Sequence, residues 1–437
     1  MQKLNQIKIF KFWFPLAATW LMMSLEGPFL AAVIARLIDP KYNLAAYGVA
    51  FSFALIVEAP VIMMMSASTA LVKDYSSFKK LRNFNFIVSS FITLFMLIIL
   101  IPSIFNFIAI DLISLDKEVT KLTYKAFFVL LPWPGAIGYR RFYQGILIRN
   151  NLTKRVAYGT VVRLTCMTFT ALILFTFSNL PGAVVGASAL SSAVLAEAIA
   201  SRLMANKILK QIKDDKLISE EILTYKSIFN FYYPLALTSF IGLGVHPLVA
   251  FFIGQSRMSL ESLAVLPVIN SLVFIFRSLG LSYQEVVIAL VGDNGENYFE
   301  ISKYAKRLAL FLALCLIAIS LTPASYFWFN TVSGLSIELS SFSKIPTIII
   351  SIMPAFTVLI SLQRAILVVY KNTTPITFAT IIEVTVIIVT LFISIKVFNI
   401  TGITSAMLAF IFGRICAVSF LMFPFNQIKA KFNKVDS

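Results

Sequence analysis

The sequence predicts an all-α polytopic membrane protein, with twelve transmembrane helices in two six-helix bundles related by an internal repeat. Three observations predict it. Hydrophobic residues make up 59% of the 437 and charged residues only 13%, with a mean hydropathy of +0.88; a soluble domain carries about 25% charged residues. Apolar runs of the roughly 20 residues needed to cross a bilayer recur from end to end. The chain also echoes itself. At a constant offset of 219, Phe10, Phe12, Pro15, Leu16, Ala17, Thr19 and Pro28 fall on Phe229, Phe231, Pro234, Leu235, Ala236, Thr238 and Pro247.

The expected spans run in order. The first six are about 11–36, 44–70, 84–109, 124–147, 157–177 and 182–203. The second six are about 229–253, 262–290, 308–330, 345–370, 375–395 and 402–424. The register continues beyond the first span: Leu44, Ala45, Val49 and Ser52 fall on Leu263, Ala264, Val268 and Ser271. Later, QGILIRNNLTKRVAYGTVVRLT (144–165) matches RAILVVYKNTTPITFATIIEVT (364–385), and Gly182 falls on Gly402. A match through span after span is stronger than any single motif. The domains read as a bundle over 1–204, a cytoplasmic linker over 205–227 and a second bundle over 228–437. The lysine-rich linker is expected to lie partly as an amphipathic helix on the membrane surface.

The formal charge of +17 follows the positive-inside rule and does not call for nucleic acid. Lysines and arginines gather at the N-terminus, at 73–82, 149–155, 202–226 and 303–307, at Lys371 and in the tail, while the alternate loops hold far fewer. With twelve spans, both termini are expected on the cytoplasmic side of a plasma or inner membrane. An even number of spans per half makes the repeats parallel. The run after Lys3, Lys8 and Lys11 continues to about Arg36, too long for a cleaved signal peptide. Three cysteines in apolar segments form neither a metal nor a disulfide pattern, and one histidine excludes most metal chemistry. No enzyme, no metal and no bound cofactor are expected.

Charges at membrane depth cost about 2.5–3.5 kcal/mol each on insertion scales, so they mark pathways or partners. The acids are Glu26, Glu58, Glu197, Glu285 and Glu383; the bases are Arg140, Arg141, Arg163, Arg277, Arg364 and Arg414. Glu58 falls on Arg277 and Arg163 on Glu383, in register and with reversed sign. Glu197 and Arg414 occupy corresponding spans within a few residues of register. Ion coupling is assigned to Glu26, Glu58 and Glu383. Glu26 leads, because Pro28 beside it removes a backbone hydrogen bond and frees a carbonyl. The substrate cavity is assigned to Arg163, Arg277, Arg364, Arg414, His246, Gln144 and Gln363. Pro28, Pro60 and Pro247 are expected helix breaks. Arg140, Arg141, Glu197 and Glu285 read instead as static pairs or interface residues.

Two six-span halves, each opening with an aromatic-proline helix, resemble the multidrug/oligosaccharidyl-lipid/polysaccharide (MOP) exporter superfamily, to which the MATE transporters belong. The nearest likeness is to its progressive ankylosis (ANK) branch, carried by FYYPLALTSFIGLGVHPLVAFFIGQSR (231–257), with weaker echoes around Glu26 and in QGILIRN (144–150). The long polar tail of the animal members is missing here. The resemblance implies a two-bundle transporter with a central cavity and rocking-bundle alternating access. The function it implies is secondary active export of an organic solute, anionic if the arginines line the site, coupled to H+ or Na+. The alternative is a flippase for a lipid-linked oligosaccharide or another anionic lipid. The partners expected are therefore a small organic solute or anion and membrane lipid, bound by a monomer.

Overall fold

The computed structural model describes residues 4–112, 115–214, 223–292, 294–333 and 335–432, with the side chains at 41, 112, 246, 247, 260, 264, 431 and 432 outside the description. The described residues are helical almost throughout. The first half contains α1 (Gln6–Ser24), α2 (Glu26–Ile34), α3 (Pro40–Glu58), α4 (Met64–Leu71), α5 (Tyr75–Ile99), α6 (Pro102–Asn106), α7 (Lys117–Val129), α8 (Trp133–Arg149), α9 (Thr153–Phe177) and α10 (Gly182–Asp214). The second contains α11 (Tyr225–Gly254), α12 (Ser259–Leu281), α13 (Tyr283–Leu290), α14 (Tyr298–Leu321), α15 (Ala324–Tyr326), α16 (Ile337–Ile350), α17 (Met353–Val369), α18 (Thr374–Phe392) and α19 (Gly402–Phe432).

Local chemistry sets the helix ends. Asp74 caps α5 by accepting from the Ser77 backbone N–H at 2.7 Å, and the Ser77 hydroxyl accepts in return from the Asp74 N–H at 2.9 Å. Asp116 caps α7 by accepting from the Glu118 N–H at 2.8 Å. Both bonds satisfy backbone donors that have no partner within the helix. The repeat survives in fine detail. A π-helical turn, Phe107–Leu112, follows α6, and Phe327–Val332 follows α15 at the equivalent place.

Among the described residues, eleven helices are long and apolar enough to cross a membrane by length and composition. The expected fourth span is the one that fails this measure. It is carried by α7 and α8, separated at Leu130–Pro132, and the Arg140–Arg141 pair lowers its hydropathy. Its partner in the repeat, α16 and α17, passes as one stretch because Ile360 and Ser361 stand where the arginine pair would be. Large apolar side chains point outward, among them Phe91, Phe169, Phe311 and Phe423, as expected where the surroundings are lipid. Small ones point inward. Ala46, Ala50 and Ala54 line one face of α3 with no exposed surface, which lets helix backbones approach closely.

The expected linker, 205–227, is only partly described. Residues 205–214 continue the sixth span as the end of α10, and 215–222 lie outside the described residues. The compact units also divide the chain away from the linker. One unit (the N-unit) is residues 18–240; the other (the C-unit) is residues 1–17 with 241–437. The first part of α1 therefore belongs to the C-unit. There the Trp13 indole N–H donates to Ser282 Oγ at 2.9 Å and to the Leu279 carbonyl at 3.2 Å, and Gln6 Nε2 donates to Glu300 Oε2 at 2.6 Å. The first part of α11 belongs to the N-unit. There the Tyr232 hydroxyl donates to the Pro60 carbonyl, and its ring lies 5.4 Å from that of Phe84.

Two of the three expected helix breaks occur. The helix stops at Ser24 and restarts at Glu26, just before Pro28. It stops again at Glu58 and passes into a 3-10 turn, Ala59–Val61, that contains Pro60. The third is corrected: α11 runs continuously through position 247. A proline removes only one backbone bond, and neighbouring packing in a membrane protein can absorb that loss as a bend.

Candidate functional site

In the N-unit, α2, α3, α8, α9 and α10 bring six charged side chains together. Glu26, at the first turn of α2, accepts from Arg163 of α9 at 2.5 Å. Arg163 also lies 3.5 Å from Glu197 of α10, and Glu197 is bonded by Arg140 of α8. The second oxygen of Glu197 accepts from Gln144 Nε2 at 3.0 Å and from Thr160 Oγ1 at 3.3 Å. Glu197 is completely buried, and Glu26, Arg140 and Arg163 are nearly so. The chain of Glu26, Arg163, Glu197 and Arg140 alternates in sign. Such pairing is what permits charges in a medium of low dielectric constant.

Glu58 stands apart from that chain. It is buried at the end of α3, and its Oε2 has no hydrogen-bond partner among the described residues. The positive charges that act on it are Arg141 first, then Arg140 and Arg163. A buried carboxylate oxygen without a donor is costly; Oε1 of Glu26 shares that condition, but Glu26 is held by Arg163 through its other oxygen, whereas Glu58 makes no ion pair among the described residues. The break at Ala59–Val61 places it at a helix end, where helix carbonyls also lack partners.

The C-unit uses equivalent helices differently. Arg414 of α19 donates to Glu383 of α18 at 2.8 Å. Arg364 of α17 donates to Thr380 Oγ1 at 3.0 Å. Arg277 of α12 makes no hydrogen bond or ion pair among the described residues, but the charges of Arg414 and Glu383 reach it, as they reach Arg364. Arg277 and Arg364 remain partly open, whereas Arg414 and Glu383 are buried. This cluster sets three arginines against one glutamate, while the N-unit cluster sets three against three. The difference lies in particular repeat positions. Arg364 replaces Gln144, Arg277 replaces Glu58, and Val245 stands where Glu26 would fall.

The expected site residues thus divide. Glu26, Arg163 and Gln144 join the N-unit network with Glu58 beside it, and Glu383, Arg277, Arg364 and Arg414 meet in the C-unit. Gln363 turns elsewhere, donating to the Val418 carbonyl at 3.1 Å on the floor of a separate groove. The side chains of His246 and Pro247 lie outside the described residues. Arg140 and Glu197, which the sequence reads as static pairs or interface residues, form a buried ion pair that also joins Glu26 and Arg163 in one network. Thr160 enters the sequence reading only inside the matched segment 144–165. Its signal was present, since Thr160 and Thr380 are the same hydroxyl beside the charged residue in both halves. Among the described residues no group of His, Cys, Asp and Glu is arranged to hold a metal ion.

The fold is that of the MATE transporters of the MOP superfamily. A MOP superfamily transporter from Pyrococcus furiosus superposes with a TM-score of 0.74 at 14% identity, over 97% of this chain and 96% of that one. A Vibrio cholerae MATE transporter in the bent form gives 0.74 at 12% identity, over 97% and 98%. An outward-facing multidrug resistance MATE transporter gives 0.71 at 14%, over 97% and 96%. No protein-family model matches the chain, and no curated protein matches its sequence. The matches support the MATE part of the expected resemblance and not its ANK branch.

Proposed function

We propose that this chain is a secondary transporter that moves an organic anion across the membrane by alternating access, with Arg277, Arg364 and Arg414 as its anion-binding groups. The observation that carries the reading is the excess of arginine over glutamate in the C-unit cluster. Two of the three guanidiniums there are partly open, and Glu383 is occupied by Arg414. Guanidinium groups bind carboxylate and phosphate through paired, charge-assisted hydrogen bonds. The MATE fold supports transport. The Pyrococcus furiosus neighbour is itself described as having a binding pocket of reverse polarity that suggests a different function.

Coupling to H+ or Na+ is assigned to Glu58. Glu26 and Glu383 are each ion-paired with an arginine, and releasing either breaks a buried pair, whereas Glu58 makes no ion pair among the described residues. Glu58 has an oxygen open to a proton or cation.

Proteoliposomes under imposed pH and sodium gradients test both assignments, with a cationic dye, citrate, pyrophosphate and a nucleotide as the panel. Movement of one or more anions but not the dye is expected. Arg277→Gln and Arg364→Gln should each cut the rate by about tenfold, the loss of one charge-assisted bond. Glu58→Gln should leave anion exchange intact and remove its gradient dependence. Gradient-driven movement of the dye overturns the anion reading. A lipid-linked diphosphate would present the same charge to the same arginines. Its translocation, with no soluble anion moved, would replace this reading with the flippase.

A further inference from the structure

A second basic feature lies in the C-unit, away from the arginine cluster. A cavity of about 850 Å³ opens between the start of α14, α17 and the end of α19. Lys303, Lys306 and Lys429 stand on its rim. Lys303 and Lys306 are three residues apart on α14 and so share a face. Lys429 comes from α19, and its Nζ lies 5.8 Å from the centre of the Tyr298 ring, which orients the ammonium. Among the described residues none of the three has a carboxylate partner. Glu296 is the acid that also lines the cavity, so positive charge prevails there. The inner wall is apolar, with Leu362, Val418 and Phe425 buried behind the lysines. On α19, Met422 is 51% exposed and forms an apolar shoulder beside them.

We propose that this groove binds an anionic phospholipid, its phosphate held by Lys303, Lys306 and Lys429 and an acyl chain lying along Met422. Two observations select a lipid over a soluble anion. The charges sit at the basic end of the helices, the end that the loop asymmetry places at the cytoplasmic leaflet, where anionic lipids attract lysines. On α19 the exposed Met422 and Phe423 lie about two turns further from the basic end than Lys429, where a free phosphate would leave them uncovered. The proposal is independent of the transported substrate, because the residues involved are not those of either charge cluster.

Native mass spectrometry of the full-length protein tests it, with phosphatidylglycerol and phosphatidylcholine supplied at equal concentration. Retention of phosphatidylglycerol over phosphatidylcholine by about tenfold is expected, in line with several lysines acting on one anionic headgroup. The triple variant Lys303→Gln, Lys306→Gln, Lys429→Gln should bring the two lipids to parity. The corresponding triple arginine variant should keep the preference. Both variants should melt with the wild type, since all three lysines are exposed. Parity in the wild type, or an unchanged preference in the glutamine variant, overturns the proposal. So does displacement of the lipid by sn-glycerol 3-phosphate, which would assign the groove to a soluble anion.

Discussion

Arg414 and Glu383 lie 2.8 Å apart between α19 and α18, and the same two helices of the other half hold Glu197 and Arg163 at 3.5 Å with the charges exchanged. The duplication has kept the ion pair and inverted it. An inverted pair presents the opposite field to whatever approaches. The neighbours then decide the outcome. Glu26 and Arg140 close the N-unit pair into a balanced chain, whereas Arg277 and Arg364 leave the C-unit pair with surplus positive charge.

The inversion makes the pair exchangeable. Glu383→Gln should destabilise the protein by about 3–5 kcal/mol, because Arg414 would remain buried without its partner. The double variant Glu383→Arg, Arg414→Glu should recover most of that loss. Thermal unfolding in detergent of the wild type, Glu383→Arg, Arg414→Glu and the double variant, with Glu383→Gln beside them, measures it. A double variant as unstable as the sum of its singles would show that the site does not tolerate the reversed pair.

Arg163 and Arg277 should respond in opposite ways to neutralisation. Arg163→Gln strips the partner from Glu26 and weakens the hold on Glu197, at a cost of about 3–5 kcal/mol. Arg277→Gln removes a charge with no bonded partner, so the melting temperature should stay within about 2 °C or rise, consistent with a change under about 0.5 kcal/mol. The two melting curves, recorded at equal ionic strength, decide this.

Trp13 fastens the first part of α1 to the C-unit. Trp13→Phe keeps an aromatic ring but removes the N–H given to Ser282 and the Leu279 carbonyl, a loss of about 1 kcal/mol. Hydrogen exchange over residues 6–17 should quicken in the variant while exchange over 182–214 stays unchanged. Equal effects on both segments would mean that the contact does not act locally.

Gly145 marks a close crossing of α8 on α4. A Cβ there would come within 2.5 Å of the Met65 carbonyl and 2.6 Å of Ser68 Cβ. Ser68 is already fixed by donating to the Phe142 carbonyl at 2.7 Å. Gly145→Ala should therefore cost about 1–3 kcal/mol through overpacking. Gly48→Ala, where a Cβ meets nothing within 4 Å, should be neutral or slightly stabilising through helix propensity. Comparing their melting temperatures isolates the steric effect from the propensity effect.

Much of this was legible in the residues. Span lengths, the parallel repeat and the sign reversal of Arg163 against Glu383 all follow from apolar runs and a constant offset. The charged site residues were legible as a set, because a charge inside an apolar run stands out. Their partners were not. Glu26 was marked by Pro28 beside it, but its bond to Arg163 joins residues 137 positions apart, and no local pattern encodes that distance. The helix break at Ser24 was legible, while the continuity of α11 through position 247 was not, since a proline sets a local cost and the surrounding packing decides whether a helix pays it with a bend or a break.

Composition and periodicity alone determined that the chain is helical, apolar, duplicated and charged at a few membrane-depth positions. Lipid forces every backbone group to bond within its own segment, so each span can be read without its neighbours. Only the tertiary structure decided which carboxylates are paired and which oxygen of Glu58 is left open. It also assigned the first 17 residues to the unit that holds the second half. Side-chain pairing depends on which helix faces meet, and that is a property of packing between segments far apart in the chain.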